Sequence, residues 1–166
     1  AGLRFLEQSG WLVHFPELFA TVGVPQDPEW HPEGDVWTHT AHCTDAMAAL
    51  PAWKRADTET RLVLQFAMLL HDIGKATTTA EQLRDGRMRW ISPGHEAAGA
   101  TLAESFLSRI GSYEAVTRRV LPLVAQHMAH LVDPTPRAIR RLARRLAPAT
   151  IEELCLVMTA DASGRP

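Results

Sequence analysis

The chain has 166 residues, 46% of them hydrophobic and 22% charged, and a formal net charge of −2. That balance excludes a disordered or collagen-like polymer and fits one globular domain, able to bury about 70% of its unfolded surface without disulfides. The charge gives no global reason to expect nucleic-acid binding, so any basic surface has to be local.

Apolar periodicity favours helices almost throughout, and no run of alternating β-branched residues suggests a sheet, so the predicted fold is all-α. Short helices are expected over 2–9 and 16–21, followed by a Pro/Gly/Asp loop, GVPQDPEWHPEGDV, over 23–36. A helix is predicted from Val36 to Leu50. Residues 58–73 open on a Thr cap with early acids, turn strongly apolar and meet Gly74 as a C-terminal stop, which marks the central buried helix. Residues 76–94 are polar and predict a long loop or short hairpin. Further helices are expected over 95–110, 112–130, 135–146 and 149–162, broken at Gly111, Asp133-Pro134 and Pro148.

Cys43 and Cys155 lack any CxxC or Cys/His spacing and are expected to be small core side chains in a reducing compartment. No apolar run reaches the ~20 residues of a membrane span, and Arg4 with Glu7 interrupts the one candidate signal core. The expected location is the cytoplasm, with no membrane partner.

Eight histidines stand out. His71 and Asp72 close the most apolar helix, where an imidazole and a carboxylate are costly to bury unless something pairs them. A metal ion would do so; a helix end with His71 against the dipole and Asp72 in water is the alternative. His39 sits inside helix 36–50, His95 opens a helix, His127 lies late in another, and Asp161 ends the last. Converging helix ends would bring these six together, enough to hold one or two divalent ions, with carboxylates favouring harder metals.

The order His39, His71-Asp72, His95, His127, Asp161, with LLHDIGK over 69–75, resembles the HD-domain metal-dependent phosphohydrolase superfamily. VPQDPEWHPEGDVWTHT (24–40), PGHEAAGA (93–100) and ADASGR (160–165) resemble more narrowly the HD domain attached to bacterial CCA-adding tRNA nucleotidyltransferases. The likeness runs from about residue 10 to the end. It implies an all-α HD helical bundle with a metal site between helices, spanning 1–166 as one domain. His39, His71, Asp72 and Asp161 would be the shared ligands with Asp72 as the bridge, and His95 and His127 would hold a second ion; the ions would be drawn from Mn, Fe, Ni, Co or Mg. The nucleotidyltransferase head that precedes this domain in that family has no counterpart here. The chain, which begins at Ala1 without Met, is therefore expected to be either the HD portion of a longer protein, with such a head in the same full-length chain, or a stand-alone relative.

The activity so implied is hydrolysis of phosphate mono- and diesters of nucleotides, of the 2',3'-cyclic phosphodiesterase, 2'-nucleotidase and phosphatase type linked to tRNA 3'-end processing. The partner would be a phosphorylated nucleotide or an RNA 3' end, tRNA included. A binuclear nucleotide or dinucleoside-polyphosphate hydrolase and a non-catalytic tRNA-binding or dimerisation module are the alternatives. Asp72 and Lys75 are the expected catalytic residues, Lys75 stabilising charge on the phosphate. His42 and His130, each three residues after a ligand candidate, are expected to support ligands or touch substrate, as are Arg87 and Arg89. His31, Glu33 and Asp35 are expected to shape the loop beside the site, and Trp30 and Trp90 to anchor loops or stack on a base. Arg137, Arg140, Arg141, Arg144 and Arg145 fall on one helix face, predicting a basic stripe for RNA or an acidic partner, with the acidic segment 17–35 as an intramolecular option.

Overall fold

The structure is a computed structural model that describes residues 2–131 and 135–165, without the side chains of His130 and Leu131. The central apolar segment becomes α5 (Thr58–Leu70). Asp57 starts it by accepting a hydrogen bond from the Thr60 amide at 2.9 Å, and Val63, Leu64, Ala67, Met68 and Leu70 bury its apolar side. Around it pack α3 (Val36–Ala49), α8 (Glu114–Gln126) and α10 (Ile151–Ser163), and α7 (His95–Arg109) lies against α8. The short helices are α1 (Gly2–Gln8), α2 (Pro16–Phe19) and α4 (Pro51–Arg55), and 3₁₀ turns occupy Trp11–His14 and His127–Leu131. Among the described residues no helix is long and apolar enough to cross a membrane.

The end of the central helix departs from the sequence expectations. The central helix stops at Leu70 rather than Ile73, with a turn leading into α6 (Lys75–Thr78). Gly74 is not a left-handed stop, since its φ is −66°. It is required because a Cβ there would lie 2.1 Å from the His95 carbonyl oxygen and 2.6 Å from the Gly99 amide. The glycine thus lets the end of the HDIGK turn touch the start of α7.

The segment expected as loop or hairpin contains α6 and a hairpin, β1 (Ala80–Arg84) paired antiparallel with β2 (Arg87–Ile91), from Ala80 opposite Ile91 to Arg84 opposite Arg87. Asp85 and Gly86 turn it, both with positive φ, as the tightest two-residue hairpins require. The expected helix 112–130 gives way to the 3₁₀ turn at His127.

α10 opens with a reciprocal cap. Thr150 Oγ1 accepts from the Glu153 amide, and the Glu153 carboxylate accepts from the Thr150 amide. Before it, α9 (Pro136–Leu146) inserts Leu146 into the core and leaves all five of its arginines exposed. The cysteines divide: Cys43 is buried, but Cys155 is exposed on α10, correcting the expectation that both belong to the core.

Candidate metal centre

Four imidazoles reach the centre of the bundle from four elements, and each has its Nδ1 already committed. His71 and His127 cap the C-termini of α5 and α8, where the last carbonyls lack partners within the helix. Each ring folds back so that Nδ1–H donates to the carbonyl three residues earlier, Met68 and Val124, both at 2.7 Å. His95, at the first residue of α7, does the same to Ser92 at 2.8 Å. His39, inside α3, faces the buried Glu33 carboxylate with Nδ1 at 2.6 Å. With every Nδ1–H donated, each ring in its neutral form presents an Nε2 lone pair to the interior.

Those lone pairs converge on Asp72, and they do so in two sets. Asp72 Oδ2 lies 3.3 Å from His71 Nε2 and 3.7 Å from His39 Nε2, while Oδ1 lies 3.3 Å from His95 Nε2 and 3.6 Å from His127 Nε2. Asp161 joins the first set, its Oδ1 being 3.0 Å from His39 Nε2 and 3.9 Å from His71 Nε2. The structure therefore brings together all six residues of the predicted cluster, with Asp72 between the two groups.

Such an arrangement calls for a cation. His71 Nε2 is sealed from solvent and has no hydrogen-bond partner among the described residues. His95 Nε2 and His127 Nε2 lie 3.1 Å apart, a spacing close to that of two ligands sharing one ion at metal–nitrogen distances of about 2.0–2.1 Å. The residues present fit one divalent ion among His39, His71 and Asp161, with Cys43 in the same group, and a second among Asp72, His95 and His127; Asp72 Oδ2 also faces the first group, 3.3 Å from His71 Nε2. The electrostatics agree. Burial alone would raise the Asp72 carboxyl, yet the Lys75 ammonium and the His71 imidazole hold it well below the usual carboxylate range. Burial likewise would raise Asp161, and the His39 hydrogen bond and the nearby imidazoles bring it low. For His71, burial works against charge, but Asp72 and Asp161 prevail and raise its pKa.

Lys75 is buried, its Nζ held 2.7 Å from Asp72 Oδ2 and donating to Gln26 Oε1 at 2.8 Å. It lines a cavity of about 370 Å³ that opens onto the cluster, together with His95, Trp30, Trp90 and Arg165. The loop residues behave as supports: Glu33 Oε1 also meets His31 Nδ1 at 2.9 Å, and Asp35 caps α3 through the Thr38 amide.

Other predicted residues stand elsewhere. His42 is half-buried and makes no hydrogen bond or ring contact with the cluster among the described residues; the residue one further on, Cys43, faces it, with Sγ 3.3 Å from His39 Nε2. Burial, reinforced by Asp161 and Asp72, pushes the Cys43 thiol up, so it borders the cluster uncharged. His130's side chain lies outside the described part. Arg87 sits exposed beside the hairpin turn, away from the cavity lining. Arg89 is engaged by Asp27 at 3.2 Å and by Glu29, which pins the hairpin to the 23–35 loop. The acidic segment 17–35 thus meets Arg89 and, through Glu17, Arg109, rather than the α9 stripe, whose five arginines form no ion pair among the described residues. Sequence reasoning missed Cys43 and Arg165 at the site. The signal for Cys43 was its i+4 spacing from His39, which shares the face more closely than i+3.

This helical bundle, with a His/Asp cluster built around an HD pair, defines a metal-binding all-α domain. The HD domain family model matches residues 36–164, and the chain belongs to the HD-domain family. It is 38% identical over 154 residues to the Multifunctional CCA protein of Halorhodospira halophila, covering 92% of this chain and 31% of that protein. It is 35% identical over 161 residues to the CC-adding tRNA nucleotidyltransferase of Thermus thermophilus, covering 96% and 34%. With the Multifunctional CCA protein of Acinetobacter baumannii strain ATCC 17978 the identity is 32%, over 96% of this chain and 37% of that one. The chain spans about a third of the length of these relatives. No solved structure matches it significantly.

Proposed function

We propose that the chain is a metal-dependent phosphohydrolase that opens or removes phosphate esters on nucleotides and RNA 3' ends, of the 2',3'-cyclic phosphodiesterase, 2'-nucleotidase and phosphatase type. The observation that carries this reading is Asp72, whose two carboxylate oxygens face two separate sets of bare imidazole nitrogens. The HD-domain family and the tRNA-directed names of the relatives support it. Bound divalent ions supply an activated water and withdraw charge from a phosphoryl oxygen. The chain's own residues do the rest. Glu33, Met68, Ser92 and Val124 fix the ring tautomers, Asp72 and Asp161 supply the negative charge, and Lys75 presents an ammonium to phosphate from beside Asp72.

The α9 stripe supports RNA as the larger substrate: five exposed guanidiniums without acidic partners among the described residues are available to phosphates. A nucleotidyltransferase domain in the same full-length chain accords with the share of the relatives that this chain covers.

The test is hydrolysis of a 2',3'-cyclic nucleotide, an aryl phosphate and a diadenosine polyphosphate with Mn, Ni, Co or Mg added, alongside metal content. Turnover of the cyclic nucleotide that disappears in Asp72→Ala is the expected result. Preference for the diadenosine polyphosphate would favour the binuclear dinucleoside-polyphosphate reading. Absence of both metal and turnover, with salt-sensitive tRNA binding retained, would reduce the domain to a binding module.

A further inference from the structure

The cavity beside the cluster has a composition that the metal ligands do not explain. Lys75 and Arg165 both line it, and the two are placed alike: Lys75 lies three residues after Asp72 and Arg165 four after Asp161. Each metal-facing carboxylate therefore has a cation one helical turn downstream, at the cavity wall. Lys75 is tightly held, but Arg165 is not. Its guanidinium reaches Asp161 only at 3.4 and 3.5 Å, and its Nε is shielded from solvent with no partner among the described residues. Two donors of a planar fork are thus poorly used at the mouth of a phosphate-scale site.

Arg165 owes this position to Gly164. A Cβ on Gly164 would stand 2.2 Å from Cys43 Sγ, so only glycine lets the end of α10 close onto α3 and direct the next residue over Asp161.

The other wall is aromatic. Trp30 comes from the 23–35 loop and Trp90 from β2, and the Arg89 ion pairs to Asp27 and Glu29 tie together the two segments that carry them. Both indoles keep substantial exposure, 59% and 37%, although they line a cavity. Asp27, the acid on that wall, is neutralised by Arg89. A volume of about 370 Å³ is at the lower end of small-ligand sites.

We infer that this cavity is a single-nucleotide pocket, in which Arg165 and Lys75 hold the phosphate over the cluster while Trp30 and Trp90 stack the base. The ligand class is one unpaired nucleotide, free or as the last residue of a single strand. This deepens the phosphohydrolase reading and rests on it for the direction in which the phosphate points, but its test is equilibrium binding.

The experiment follows intrinsic tryptophan fluorescence and calorimetric heat as the full chain is titrated with adenosine 2'-monophosphate, adenosine and glycerol 2-phosphate, with and without Mn²⁺. The nucleotide is expected to bind more tightly than either half. Trp30→Ala or Trp90→Ala should weaken it by about 5- to 150-fold, the range that base stacking on an aromatic side chain supplies, and bring its affinity towards that of glycerol 2-phosphate. Arg165→Gln should weaken both phosphates more than adenosine, with Arg165→Lys partly restoring them. The pocket assignment is overturned if the nucleotide binds no better than glycerol 2-phosphate under either condition. It is equally overturned if both tryptophan variants, folded by circular dichroism, bind the nucleotide as the parent does. Tight nucleotide binding without phosphate release would leave the pocket standing and remove the hydrolase reading. A single-stranded oligonucleotide ending in a 2'-phosphate, compared with its duplexed form, then separates an RNA end from a free nucleotide.

Discussion

Glu33 Oε1 lies 2.6 Å from His39 Nδ1, with both side chains sealed from solvent. The carboxylate accepts a hydrogen bond from Nδ1–H and so turns Nε2 to the cluster. Removing such a partner of a ligating imidazole costs about 10–100-fold in metal affinity. Glu33→Ala is therefore expected to lower affinity for the first divalent ion by that factor, measured by competition with a chelator, while Glu33→Gln, whose amide oxygen still accepts, loses less. Equal affinities in all three proteins would refute this role.

Asp72 connects the two sets of histidines and also neutralises Lys75. In Asp72→Asn the shape is kept but the negative charge is lost, so phosphate release should fall by at least about 10²–10³, the scale of removing one preorganised electrostatic group. Metal per chain, read by elemental analysis, should fall with it. Wild-type stoichiometry and turnover in this variant would contradict the bridging position.

Gly74 and Gly99 make a paired test of the contact between the HDIGK turn and α7. A Cβ on Gly74 meets backbone atoms at 2.1 and 2.6 Å, while one on Gly99 meets nothing closer than 3.4 Å. Gly74→Ala is expected to destabilise by about 1–3 kcal/mol or more in urea unfolding, displacing His95. Gly99→Ala, inside a helix where alanine is favoured over glycine by about 1 kcal/mol, should be neutral or stabilising. The reverse order would show that the close approach is misplaced.

The α9 stripe makes a prediction about salt. Reversing two charges in Arg140→Glu/Arg144→Glu should weaken tRNA binding uniformly across sequences and flatten the dependence of log K on log salt by about 2, roughly one unit for each phosphate no longer neutralised. Filter binding between low and high NaCl measures it. An unchanged slope would mean that the stripe is only a solvated face.

Glu17 bonds to Arg109 through two hydrogen bonds, at 2.9 and 2.5 Å, and the guanidinium holds its carboxyl below the ordinary value of 4.5. A carboxyl lowered on folding contributes stability above its unfolded pKa and loses it as pH falls through the folded one. The Tm difference between the parent and Glu17→Gln should accordingly be largest at neutral pH and shrink below about pH 4.5, with the loss complete once the pH is below the lowered pKa. A difference that grows on acidification would contradict the pairing.

The helical class, the central α5 and the six cluster residues were all legible in the chain, because each rests on a local signal. A 3.6-residue apolar period marks the helices, and a His-Asp pair at the end of an apolar helix stands out by its burial cost. What the pattern could not state was how these pieces meet. Gly74 reads as a helix stop in one dimension and becomes, in three, the point where α7 touches the HDIGK turn; its φ is ordinary, and only the approach of another backbone explains it. The choice of Cys43 over His42 beside His39, and the exposure of Cys155, depend likewise on which side of a helix its neighbours cover. Whether Arg89 reaches a phosphate or holds a loop was decided by Asp27 and Glu29, far earlier in the chain. Sequence alone thus determined which side chains could form the cluster. Only tertiary packing decided their tautomers, their division around the two oxygens of Asp72 and the cavity beside them, because each of these depends on contacts between residues distant in sequence that no local pattern encodes.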